Sequence, residues 1–222
     1  MKWPLFIVLF WLTMLAACGS SSRDQKSEAA QTPVSWPQNP EQVDTVTLAG
    51  GCFWCVEAGF EQIDGVYEAV SGYAGGDMPD PTYQQVARGQ TQHAESVQIY
   101  YNPKSIDYET LLNIFFTVHD PTQLNRQGPD VGRQYRSAIF YHNARQKEIA
   151  EKKIQDLDAS GRFQKPIVTE LQPLEQFYKA ESYHQNYEEK NPNDPYIRRV
   201  SRPKIERVRE RFKDLLKSEA TE

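Results

Sequence analysis

The stretch TVTLAGGCFWCVEAGF, residues 45–60, decides how the rest of the chain is read. Residues 45–49 have strand composition, Gly50 and Gly51 end that strand, and a helical pattern then runs through Cys55, Ala58, Phe60 and Ile63. Cys52 therefore falls at the first turn of a helix. There, unpaired amides and the positive end of the helix dipole favour thiolate over thiol, so its pKa is expected to fall and Cys52 is a candidate nucleophile. Cys55 follows one turn later on the same face, within disulfide reach of Cys52.

Redox chemistry is the favoured reading of this pair. A structural disulfide across so short a loop would remove little entropy from the unfolded chain. A zinc site would need two further ligands, and the four histidines, His93, His119, His142 and His184, show no paired spacing to supply them. No metal and no cofactor are expected. Two buried, inert thiols are the plain alternative. A thioredoxin-like disulfide oxidoreductase also starts a helix with C-x-x-C after a strand. Against it stand Phe53 and Trp54, which are bulky for docking another protein's disulfide and suit a small apolar pocket that holds a methyl group against ring faces.

Ahead of this stretch, an apolar run from Trp3 to Leu15 follows Lys2 and is too short to span a bilayer. It reads as a signal peptide, residues 1–17. Leu15-Ala16-Ala17-Cys18 resembles the bacterial lipobox, which implies diacylation of Cys18 and an anchor in a bacterial membrane facing the periplasm or exterior; an ordinary secretory signal is the other reading. Residues 18–44 are polar, proline-bearing and without apolar periodicity, a tether. The roughly 200 residues that remain suffice for one well-buried domain. A formal charge of −5 with 25% charged residues marks no basic extreme, and nucleic acid is not an expected partner.

Strand and helix patterns alternate beyond Ile63. Residues 66–73 look extended and lead into a glycine-rich turn, residues 93–101 form the clearest strand, and residues 106–118 the clearest amphipathic helix, with Asp107 as its N-cap. A strand over 135–141, a charged helix over 144–157 and a strand over 167–171 follow. The pattern is mixed α/β, one sheet with helices packed on it. Alternation in the strand from His93 puts Glu95 on the face of Val97 and Ile99. A carboxyl on that apolar face is desolvated, its pKa rises, and it can serve as a general acid near neutral pH; a glutamate paired with an arginine at the edge of the core is the alternative.

These residues resemble the A-type peptide methionine sulfoxide reductases. The resemblance runs from Val46 to Tyr187 and rests on GCFWCVEA at 51–58, GYAGG at 72–76, PTY at 81–83, HAE at 93–95, QYRSAI at 134–139 and AESYHQNY at 180–187. It implies a single-domain ferredoxin-like α/β sandwich with long surface coils, set here at residues 45–195; a monomer is expected. By the same resemblance Cys52 is the nucleophile toward the sulfoxide sulfur and Glu95 the acid for the departing oxygen. Phe53 and Trp54 would form the pocket for the substrate's terminal methyl, and Tyr83, Asp130 and Tyr135 the polar group around the sulfoxide oxygen. His93 and His184 lie inside motifs without an assigned role. The implied activity reduces the S epimer of methionine sulfoxide, free or in oxidised proteins, with a thioredoxin-like reductant.

Oxidation of Cys52 to a sulfenic acid must be reversed before a second turnover. Many members of the family use cysteines near the C-terminus for this, and here no cysteine follows Cys55. The resolving thiol is therefore Cys55 or an external one. Residues 196–222 form a basic amphipathic stretch with Ile205, Val208, Phe212, Leu215 and Leu216 at helical spacing. It is expected to pack on the domain, with an anionic membrane surface as the alternative. A tethered, non-catalytic binding lipoprotein is the reading from a different functional class.

Overall fold

The computed structural model describes residues 42–218 together with Pro37. Cys18 and the expected signal segment lie outside the described residues, as does all of the expected tether except Pro37 and residues 42–44.

In chain order the fold runs β1 (Asp44–Gly50), α1 (Phe53–Glu61), β2 (Val66–Ala74), α2 (Tyr83–Ala87), β3 (Ala94–Tyr101), α3 (Tyr108–Val118), β4 (Arg126–Gln127), β5 (Asp130–Val131), β6 (Ser137–Tyr141), α4 (Ala144–Ala159), β7 (Glu170–Pro173), β8 (Phe177–Lys179), α5 (Tyr187–Lys190) and α6 (Arg202–Arg211). Six strands form one sheet in the order β7-β6-β1-β3-β2-β8. Its centre, β6-β1-β3-β2, is antiparallel throughout. Together with α1 and α3 it makes the split β-α-β of a ferredoxin-like sandwich, the architecture the resemblance implies. β7 joins the edge in parallel with β6, which the intervening helix α4 permits as a crossover.

Periodicity explains where the core lies. Leu111, Leu112, Phe115 and Val118 on α3 pack with Val56 and Phe60 of α1 against Val46, Leu48, Val97 and Ile99 of the central strands. The opposite face of the sheet carries small residues, Ala49, Ala74, Ala94 and Ala138, around Phe140. Small side chains let the connecting segments lie close to that face. Asp107 caps α3, accepting from the Thr110 N–H at 2.7 Å, as its position before the apolar run requires.

Element ends shift where turn chemistry overrides pattern. β6 begins at Ser137 because Gly132, at φ 144°, leads the chain into a 3₁₀ turn over Arg133–Tyr135 that takes Tyr135 out of the sheet. α1 stops at Glu61, short of Ile63, which forms a bridge with Leu216. Around that bridge the Asp64 N–H donates to Leu215 O at 2.7 Å and the Lys217 N–H to Gln62 O at 2.9 Å. The C-terminal segment is thereby stitched to the end of α1. Ile205 and Val208 are buried, Phe212, Leu215 and Leu216 are half-buried against the main core, and α6 packs on α1 and α3.

Candidate active site

The turn from β1 into α1 is built on Gly51, whose φ of 89° suits only a residue without a Cβ. A Cβ there would also stand 2.6 Å from Gln127 Cγ. This turn sets Cys52 at the N-cap of α1, with no side-chain cap of its own, and the Cys55 N–H donates to Cys52 O at 3.2 Å. Both thiols are free and buried, Cys52 at 6% exposure and Cys55 at 1%.

The charge does not rest where the helix dipole alone would put it. Burial pushes the Cys52 thiol well above its ordinary range, and the neighbouring Cys55 sulfur adds to the rise. Cys55 moves the other way, because the Cys52 thiol donates to it and the Lys204 ammonium, 3.7 Å from its sulfur, outweighs part of its own desolvation. The expected fall in the Cys52 pKa is thus corrected: in the resting site its thiol is raised and that of Cys55 is lowered. A buried N-terminus gives the anion a partial charge only at the cost of dehydration, whereas Lys204 offers a full one.

Glu95 arrives from β3, pointing to the helix side of the sheet with Val97. It is 2% exposed, and its Oε2 accepts the Phe53 N–H at 3.1 Å. Burial pushes its carboxyl up to about 8, the Phe53 hydrogen bond opposing and the nearby Asp130 and Cys55 reinforcing the rise. Asp130, on β5, accepts from the Tyr196 hydroxyl at 2.5 Å. Tyr196 also neighbours the Cys52 sulfur, and burial holds its hydroxyl protonated. The hydroxyls of Tyr83 and Tyr135 are both raised by burial and by the field of Glu95, that of Tyr83 to about 12.

An aromatic wall completes the site. Phe53 is buried, its ring 5.1 Å from His184, 6.2 Å from Trp54 and 6.4 Å from Tyr83, the last nearly parallel. Trp54 is half-buried, stacks on Tyr187 at 3.8 Å and 9°, and meets Tyr196 edge-on at 6.0 Å. Its Nε1–H donates to His184 Nδ1 at 3.2 Å, which gives His184 an orienting part. Glu181 ties two tyrosines together, accepting the Tyr83 N–H and the Tyr73 hydroxyl, each at 2.9 Å. His93 lies behind the site instead. Its Nδ1 accepts the Gly76 N–H at 3.1 Å and its Nε2–H donates to Met78 O at 2.8 Å, fixing the glycine-rich turn.

Cys52, Cys55, Glu95, Phe53, Trp54, Tyr83, Asp130 and Tyr135 thus converge on one end of α1. Sequence reasoning missed Tyr196, Ser201 and Lys204, which the C-terminal segment brings to the cysteines. Lys204 carries a readable signal, since it precedes Val208 by four residues and so shares the apolar side of α6. Tyr196 has no periodic context and only the tertiary fold reveals it.

The family model for peptide methionine sulfoxide reductase matches residues 44–216. The chain is 59% identical over 174 residues to a peptide methionine sulfoxide reductase MsrA of Natronomonas pharaonis, covering 78% of this chain and 98% of that one. Against MsrA of Thermus thermophilus it is 51% identical over 178 residues, covering 80% and 99%. Among solved structures it resembles Mxr1 from Saccharomyces cerevisiae in reduced form, with a TM-score of 0.62 and 39% identity over 70% of this chain and 89% of that one. It also resembles methionine sulfoxide reductase A of Corynebacterium diphtheriae, with a TM-score of 0.61 and 37% identity over 70% and 77%. The chain therefore belongs to the A-type peptide methionine sulfoxide reductases, oxidoreductases classed as peptide-methionine (S)-S-oxide reductases.

Proposed function

We propose that this chain reduces the S epimer of methionine sulfoxide, free and in oxidised proteins, through a sulfenic acid on Cys52. The observation that carries this reading is the meeting of Cys52 and a protonated Glu95 at one helix end, under the rings of Phe53 and Trp54. The rings hold the substrate methyl and leave the sulfoxide oxygen toward the polar side formed by Glu95, Tyr83, Tyr135 and Asp130. Cys52 attacks the sulfoxide sulfur while Glu95 protonates the oxygen, and the proton that Cys52 gives up restores the Glu95 acid. Two electrons pass to the substrate sulfur, methionine leaves, and the oxygen with its proton ends on Cys52 as the sulfenic acid.

Cys55 then attacks that sulfur, closing a Cys52–Cys55 disulfide and releasing water. A thioredoxin-like dithiol reduces the disulfide by exchange and becomes a disulfide itself. The enzyme acts outside the cytoplasm, anchored through a diacylated Cys18, a reading supported by residues 1–18 alone. Purified protein should consume the S epimer and spare the R epimer, and Cys52→Ser should consume neither. Turnover of both epimers, or activity in Cys52→Ser, overturns the assignment. A mass spectrum of the mature protein showing an unmodified N-terminus other than Cys18 overturns the anchor.

A further inference from the structure

Lys204 is a lysine in an unusual place. It is 8% exposed on the buried side of α6, and among the described residues no carboxylate lies within ion-pair distance of it. A buried lysine without a carboxylate needs another anion or strong acceptor for its N–H donors. Its Nζ stands 3.7 Å from Cys55 Sγ. One turn earlier on the same face, Ser201 is fully buried; among the described residues its hydroxyl has no hydrogen-bond partner, and it is one of the groups that lower the Cys55 thiol. Ser201 closes a π-helical turn over Ile197–Ser201, and such widened turns recur at functional sites because they re-aim side chains. The C-terminal segment therefore directs two donors at one thiol, the second cysteine rather than the nucleophile.

We infer that Lys204, assisted by Ser201, is a positioning residue that holds Cys55 as a thiolate aimed at the oxidised Cys52. This deepens the sulfenic acid reading and rests on it. In the step concerned, the Cys55 sulfur attacks the sulfenic sulfur of Cys52. The S–S bond forms, the S–O bond breaks, hydroxide leaves and takes a proton from the medium to become water. Cys55 is oxidised and the Cys52 sulfur is correspondingly reduced from the sulfenic level, so no outside oxidant or reductant enters until the dithiol reduces the disulfide. Only a thiolate performs this attack, and Cys55 is too buried to be ionised by water. Lys204 supplies the positive charge that water cannot.

The groups that face Cys55 are the Cys52 thiol from the start of α1, Glu95 from β3, Asp130 from β5, Tyr196 ahead of α6, and Ser201 and Lys204. Glu95, where ionised, and Asp130 oppose a charge on Cys55. Lys204 is the cation of the set, so its loss should raise the Cys55 pKa and make disulfide closure depend more steeply on pH.

The test is a single turnover of the full chain with methionine sulfoxide and no reductant, quenched at intervals with a 1,3-diketone that traps sulfenic acid. Lys204→Met should still release about one methionine per enzyme, since the first attack uses Cys52. Its closure should be about tenfold slower than wild type near pH 6, with the gap narrowing as the pH rises toward the ordinary thiol range. Lys204→Arg should restore most of the rate. Ser201→Ala, a milder change, should show a smaller slowing with the same pH dependence and carries the test if Lys204→Met fails to fold. Closure at the wild-type rate in Lys204→Met at pH 6 overturns the inference, as does a pH-independent defect that Lys204→Arg does not relieve. If Cys55→Ser recycles as fast as wild type, the resolving role of Cys55 itself fails, whatever Lys204 does.

Discussion

The Phe53 N–H donates to the Glu95 carboxyl at 3.1 Å, so the residue that follows the nucleophile also holds the acid. This single bond joins α1 to β3 across 42 residues of chain and satisfies one of the unpaired donors at the helix start. It ties the position of the acid to that of Cys52, because neither α1 nor β3 can shift without breaking it.

Glu95→Gln keeps the acceptor for Phe53 and removes the proton. The rate of methionine release should fall by about a hundredfold or more, the scale of a lost general acid. Because burial raises the Glu95 carboxyl to about 8, the acid is in its working form below that pH. Wild-type kcat should therefore decline as the pH passes about 8, and Glu95→Gln should lose that limb. A mutant with a near-normal rate would show that the carboxyl is structural.

Cys55→Ser should stop after the first methionine. Wild type treated with excess substrate and no reductant should lose both buried thiols, whereas the mutant should retain a trappable sulfenic acid on Cys52. Thiol titration with mass analysis reads the two outcomes apart.

Trp54→Ala removes the Tyr187 stack at 3.8 Å and the bond to His184 at 3.2 Å in one change. The methyl pocket loses a wall, and KM for methionine sulfoxide should rise on the order of tenfold, equivalent to roughly 1.4 kcal/mol of lost binding. Trp54→Phe should recover part of the loss. Steady-state kinetics on both variants, with kcat and KM separated, checks this.

Glu57 makes the fold sensitive to alkali. It is 2% exposed, both carboxyl oxygens face the Asn186 N–H at 3.1 Å, and burial raises it to about 8. A carboxyl with a folded pKa above its unfolded one contributes stability that is whole below the unfolded value of 4.5 and is lost as the pH climbs toward 8, because only the unfolded chain releases the proton in that window. Glu95 acts in the same direction. Thermal unfolding of wild type should show Tm falling between pH 5 and 8. Glu57→Gln keeps an oxygen for Asn186 and should flatten that fall; an unchanged slope would remove Glu57 as its source.

Much of this molecule is legible along the chain. The β1-turn-α1 unit follows from strand composition ended by Gly50 and Gly51, and the placement of Glu95 on the apolar face follows from two-residue alternation in β3. Both are short-range consequences of backbone geometry, so local sequence suffices. The Asp107 cap is local in the same way.

What the tertiary structure decided is which groups share a dehydrated space. Cys52 at a helix start reads as a thiolate when only the dipole is considered, yet the assembled site buries it and brings Lys204 from 149 residues away to its neighbour Cys55. Tyr196 reaches Asp130 across 66 residues, and His184 reaches Trp54 across 130. Burial and long-range charge depend on how elements pack, and no window of sequence contains them. The residue types and their order were therefore determined by the chain itself, while the burial of the two sulfurs, their contact with each other and the approach of Lys204 were decided only by tertiary packing.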